Sequence, residues 1–169
     1  ATVQEYGCAA LWSLASNDNN QVAISEAGGI TTLLSAMNNH TCNATVQEYG
    51  CAALWSLSSN AINQMAIAEA EGITTILSAM NNHSSNATVQ HYGCAALWSL
   101  SLNDINQVAI AEAECITTIL SAMEIHSSNA DVQHYGLEAL WNFAMNDYNN
   151  NRLAIAAVRI VTVNLFAMK

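Results

Sequence analysis

A chain of 169 residues that is 52% hydrophobic can fill a continuous core, yet no stretch reaches the roughly 18–20 unbroken apolar residues that span a bilayer. Thirteen acidic residues face three basic ones, Arg152, Arg159 and Lys169, and nothing before Arg152 is Lys or Arg. That balance argues against nucleic acid and anionic membranes, which need cationic side chains, and favours a basic partner; the plainer alternative is acidity that keeps an Asn-rich surface soluble.

The chain opens on Ala1-Thr2-Val3-Gln4-Glu5-Tyr6-Gly7-Cys8-Ala9-Ala10-Leu11-Trp12-Ser13-Leu14, in mid-pattern and with no signal-peptide succession of basic and apolar residues. The same stretch returns at Ala44 and Ala87 and, drifted, at Ala130, each start 43 residues after the last. A self-similar period of this length marks a solenoid, in which each unit contacts only its neighbours. The units run about 1–43, 44–86, 87–129 and 130–169, both ends cut within a repeat, with no linker and no domain boundary between them.

Three helices are predicted per unit. Asn20–Ala27 follows an Asn/Asp cluster suited to N-capping and stops at Gly28-Gly29, where a sharp turn needs backbone freedom. From Ile30 to about Met37, Ile30, Leu33, Leu34 and Met37 follow the spacing of one helical face. A polar turn, Asn38 to Asn43, leads into the helix starting at Ala44, where a Thr45/Glu48 capping box and Asn43 are rival caps. On that helix Val46, Gly50, Ala53 and Leu57 share an arc, with Trp55, Glu48 and Ser59 opposite. A helix apolar on one side and carrying Trp on the other is expected to be enclosed by neighbours. The third unit repeats the plan with Cys115 in place of Gly29 and Gly72; the last departs, with a longer turn at 147–151 and Arg159-Ile160 in place of Gly-Gly.

Cys8, Cys51 and Cys94 hold one repeat position, so stacking sets them about 10 Å apart, beyond disulfide reach. They are expected to be free buried thiols, which points to a reducing, intracellular (cytoplasmic or organellar) setting. Tyr6, Tyr49, Tyr92 and Tyr135 lie near the apolar arc and are expected in the core. His40, His83 and His126 stand too far apart to share a metal and read as helix C-terminal residues on the dipole. Glu26, Glu69, Glu71, Glu112 and Glu114 are expected to face solvent at first-helix ends. Asn39-His40-Thr41, Asn43-Ala44-Thr45, Asn82-His83-Ser84 and Asn86-Ala87-Thr88 have the glycosylation-acceptor form and are read as turn chemistry. No nucleophile set, phosphate loop or zinc spacing appears, so no enzyme, cofactor or metal is expected.

The run Asn20-Gln21-Val22-Ala23-Ile24-Ser25-Glu26-Ala27-Gly28-Gly29-Ile30, a Leu-rich helix, and then Val46-Gln47-Glu48 with Ala52-Ala53-Leu54-Trp55-Ser56-Leu57 resembles the armadillo repeat. The likeness covers essentially the whole chain and has the right period. It implies an all-α, right-handed superhelical solenoid of three-helix repeats whose third helices line a concave groove that binds extended peptides or protein surfaces. Two departures stand out. Thr31 and Thr74 replace the Pro that family members often carry after the Gly-Gly-Ile turn. Members that bind nuclear-localisation peptides present Trp and, four residues on, Asn; here the Trp position is Ala9, Ala52, Ala95 and Glu138, and the Asn position Ser13, Ser56, Ser99 and Asn142.

Two columns are candidates for a binding surface. Trp12, Trp55, Trp98 and Trp141 form one, with inter-repeat packing as the competing reading. Glu5, Glu48, His91 and His134 form the other, passing from acid to imidazole along the stack. The expected function is a non-enzymatic scaffold whose groove binds an extended basic protein segment. The alternative is a structural or adaptor subunit inside a larger assembly, with apolar ends that contact further repeats or partner chains.

Overall fold

In a computed structural model of the chain, residues 1–110, 113–145 and 156 are described. They form helices α1 (Thr2–Ala15), α2 (Asp18–Glu26), α3 (Gly29–Asn39), α4 (Ala44–Leu57), α5 (Ala61–Glu69), α6 (Gly72–Asn82), α7 (Ala87–Leu100), α8 (Asp104–Ile110), α9 (Ala113–Ile125) and α10 (Ala130–Met145). The last unit's long turn at 147–151 and Arg159-Ile160 lie outside the described residues, as does Glu112.

The helices stack as three rows: α1, α4, α7, α10; α2, α5, α8; and α3, α6, α9. Neighbours in the first row approach far more closely than those in the other two. Small side chains permit this, since Ala52, Ala53, Ala95 and Ala96 are fully buried. A stack tight along one row and wider along the others bends with the tight row inside, so the third helices line the concave face. The chain is an all-α solenoid of repeating helix triads.

Each triad closes on a glycine. Met37 of α3 lies against Gly50 of α4 so closely that a Cβ there would sit 2.6 Å from the Met37 Cγ and Sδ. Met80 and Met123 fill the same place against Gly93 and Gly136. Gly7 faces open space. The Gly28-Gly29 turn needs glycine for two reasons. Gly28 has φ of 75°, and a Cβ on Gly29 would meet the Ile24 carbonyl oxygen at 2.7 Å. Glu71 takes the first of these positions in the next unit, at φ 63°.

Polar side chains tie one unit to the next. The Asn63 amide donates to the Gln21 carbonyl at 3.0 Å, and Asn106 to that of Gln64 at 3.0 Å. Within the helix triads α2–α4 and α5–α7, Gln47 donates to the Met37 and His40 carbonyls, both at 2.9 Å, and Gln90 does the same at Met80 and His83. The histidines are tied in as well, beyond a dipole role. Nε2 of His83 lies 2.7 Å from the Thr41 carbonyl and that of His126 2.7 Å from the Ser84 carbonyl, so each Nε2 carries the proton and staples two turns.

Asn43 is the cap of α4, its side chain accepting from the Val46 amide at 3.0 Å; Thr45 and Glu48 form no capping box. All five cysteines are free; Cys8, Cys51, Cys94 and Cys115 are buried and Cys42 is exposed. Burial pushes the Cys51 and Cys94 thiols up to about 12. Glu26, Glu69, Glu71 and Glu114 face solvent.

Candidate interaction surface on the concave row

The expectation of core tyrosines is corrected. Tyr6 is 74% exposed, and Tyr49, Tyr92 and Tyr135 are half-buried. They stand on the inner row beside the tryptophans of preceding units. Trp12 lies 5.8 Å from Tyr49 and 5.6 Å from Tyr92, Trp55 6.0 Å from Tyr92 and 5.4 Å from Tyr135, and Trp98 5.6 Å from Tyr135 (ring centroids). Tilted and edge-on geometries match the preferred quadrupole arrangements of aromatic rings. Trp12, Trp55 and Trp98 pack on the core and keep part of each ring open. Trp141 is 56% exposed.

The acid-to-imidazole row enters the same ribbon. The His91 ring stacks on Tyr92 at 4.5 Å and Tyr135 at 5.4 Å, and lies 6.2 Å from Trp55. Burial holds its pKa below the ordinary value, against the opposing pull of the Asp131 carboxylate. His134, exposed, meets Tyr135 edge-on at 4.9 Å. Glu48 is half-buried, and desolvation raises its carboxyl. Glu5 of α1 accepts at 2.8 Å from the side chain of Asn43, the cap of α4. Burial, then Glu48 and Asp131 among other groups, raises the Tyr92 hydroxyl, which places it within the field of both carboxylates.

The Ser/Asn column divides. Ser13 is exposed and Ser56 half-buried, whereas Ser99 is buried and donates to the Ser58 carbonyl at 3.1 Å. Asn142 donates to the Ser101 hydroxyl at 3.0 Å, another bond between units. Ala52 and Ala95, at the family's clamping Trp position, are fully buried and offer nothing to a ligand.

Sequence reasoning missed the Tyr column and Asp131 as part of this face. Its signal was the fixed offset of each Tyr, six residues before its Trp, which lets Tyr of one unit reach Trp of the unit before.

Among the described residues no three His, Cys, Asp or Glu side chains converge to hold a metal ion, and no helix is long and apolar enough to cross a membrane. The family described as LRRK2 ARM repeat matches residues 29–169, while a search of curated proteins finds no match. With that match spanning most of the chain, and with the helix triads it calls for in place, the chain belongs to the armadillo (ARM) repeat family, whose solenoids are protein-interaction scaffolds.

Proposed function

We propose that the concave row binds an extended, basic protein segment. One observation carries this reading: a half-open Trp/Tyr ribbon runs across successive units beside Glu5, Glu48 and Asp131, in a chain with no Lys or Arg before Arg152. Aromatic faces attract cations, and the carboxylates add a field that the chain itself does not neutralise. The same charge pattern disfavours nucleic acid. The free thiols fit a reducing, intracellular setting.

The test is titration of a fluorescent Arg/Lys-rich peptide, with an acidic peptide of equal length as control. Binding of the basic peptide alone is expected, weakening severalfold from about 50 to 300 mM salt and with Glu5→Gln plus Glu48→Gln. Binding indifferent to salt and to both substitutions would remove the electrostatic groove.

A second reading, an adaptor packed in a larger assembly, draws on exposed Ile62, Leu102, Ile105 and Met145 along the body of the solenoid. Concentration-dependent association in light scattering, without peptide binding, would favour it.

A further inference from the structure

Helices α2, α5 and α8 stack side by side, and apolar side chains recur on the outer face of their row. Val22 of α2 and Met65 of α5 hold one repeat position; Ile62 of α5 and Ile105 of α8 hold another. All four are exposed, Ile62 at 65% and Ile105 at 72%. Ile62 and Met65 stand three residues apart on one helix and share a face, and neighbouring helices pack about 8–10 Å apart. The four side chains therefore form one oblique band across three units. Its centre, α5, is flanked in the row by α2 and α8, so the exposure of Ile62 and Met65 is no end effect. Ala23 and Ala66 lie alongside and keep the band flat. Apolar residues scattered singly over a surface need no explanation, but a contiguous band is the kind of patch that marks an interaction site.

The band has a negative margin on one side. Glu26 and Glu69, both exposed, end α2 and α5 one turn beyond Val22 and Met65, where the C-terminal turns add partial negative charge. At the opposite ends the N-terminal turns are partly positive, and the Asp18 and Asp104 carboxylates offset those of α2 and α8. None of the first 151 residues is Lys or Arg.

We propose that this band docks an amphipathic helix of a protein partner, its apolar stripe on Val22, Ile62, Met65 and Ile105 and its Lys or Arg residues along the flank facing Glu26 and Glu69. The helices beneath bond their own backbone, so the band offers side chains only. An extended segment would find no backbone partner there, whereas a helix brings its amides already paired. Laid across the row, a helix presents like residues every seven positions, about 10.5 Å apart, close to the spacing of the units. A second copy of the chain does not suit the band, because its equivalent face brings more carboxylates and no cation. An anionic membrane fails for the same reason.

The inference rests on the adaptor reading, not on the groove, and its test separates the two. The probe is an Ala-based helical peptide of about 18 residues with Leu at the a and d heptad positions and Lys along one flank. A counterpart carries Glu on that flank. Each is titrated into the full chain, and the methyl signal of Met65 is followed by NMR beside that of the fully buried Met80. The Lys-flanked peptide is expected to bind, to shift Met65 and not Met80, and to bind about tenfold more tightly than the Glu-flanked one. Ile62→Asn with Ile105→Asn, both surface changes, abolishes the Met65 shift, and Glu26→Gln with Glu69→Gln weakens binding severalfold at low salt. Unchanged circular dichroism melts show that both double variants stay folded.

Binding that leaves Met65 unmoved, or that ignores the Ile62 and Ile105 changes, overturns the proposal. So does equal binding of the two peptides, or attachment to neutral phosphatidylcholine vesicles that the same two changes abolish, which would make the band a lipid-facing surface. If neither peptide binds while the chain still associates with concentration in light scattering, the adaptor reading stands without this band. If it does neither, both fall.

Discussion

The two buried thiols at the centre of the stack and the one exposed thiol make opposite chemical predictions. A thiol reacts as its thiolate, and burial pushes Cys51 and Cys94 up to about 12. A disulfide reagent is therefore expected to label Cys42 within minutes and the other four cysteines only on unfolding, as read by absorbance and peptide mapping; rapid labelling of Cys51 would contradict their enclosure. His91 makes a prediction about pH. Its folded-state pKa is depressed, chiefly by burial, so the unfolded chain takes up the proton first as pH falls below the ordinary 6.5. The stability tied to neutral His91 is full above that value and is lost as pH falls through the lower folded one. Glu48, raised by desolvation, acts the other way, gaining stability as pH falls toward 4.5. Between about pH 7 and 5.5, His91→Gln should flatten the decline in Tm measured by circular dichroism, and an unchanged slope would place the titration elsewhere. The Trp column was legible as a candidate because four indoles recur at one position. The Tyr column was misread as core because a helical wheel treats a helix alone, whereas the side chains meet across units.

At the scale of the element, the crossing of second and third helices depends on an absent side chain. Gly50→Ala would drive a Cβ into Met37, a methionine that is itself fully buried, and overpacking of this kind costs about 1–3 kcal/mol. Gly7→Ala meets nothing and is expected to stabilise α1 by about 0.5–1 kcal/mol through helix propensity alone. Urea denaturation of both variants checks the pair, and equal effects would mean that Met37 moves aside. The Gly-Gly turn was readable from sequence, and its first position tolerates Glu71 only at the expense of a left-handed non-glycine backbone. The capping box was not readable against Asn43, because on paper either Asn43 or Thr45 could start the helix. Asn43 prevails, bonding the Val46 amide through its carbonyl and Glu5 of α1 through its amide, a contact no local pattern contains. His83 and His126 teach the same lesson, since their partners lie one unit back.

For the whole molecule, the fold was legible because a 43-residue period dictates stacking whatever the details of any one helix. Which face meets a partner was less legible, because periodicity assigns every column the same recurrence whether it packs or binds. The stack also determines how stability is distributed along it. In a solenoid each unit gains most of its stability at interfaces with its neighbours, so a unit covered on one side only opens first. Equivalent residues make the contrast plain: Val3 of α1 is 79% exposed and Val46 of α4 is fully buried. Gly7 faces open space where Gly50 holds Met37, and Tyr6 lies open where Tyr49 meets Trp12. Helices α4 and α7 are flanked in their row on both sides, by α1 and α7 and by α4 and α10. Amide hydrogen exchange of the 169-residue chain should accordingly show α1 exchanging through low-energy local opening while α4 and α7 exchange last and together. Gly7→Leu would slow α1 only by the few-fold that helix propensity supplies, whereas appending a helix that packs on Val3, Gly7 and Ala10 should bring its protection toward that of α4. Uniform protection across α1, α4 and α7 would mean that the stack opens as a single cooperative unit, and nearest-neighbour reasoning would then not apply to it.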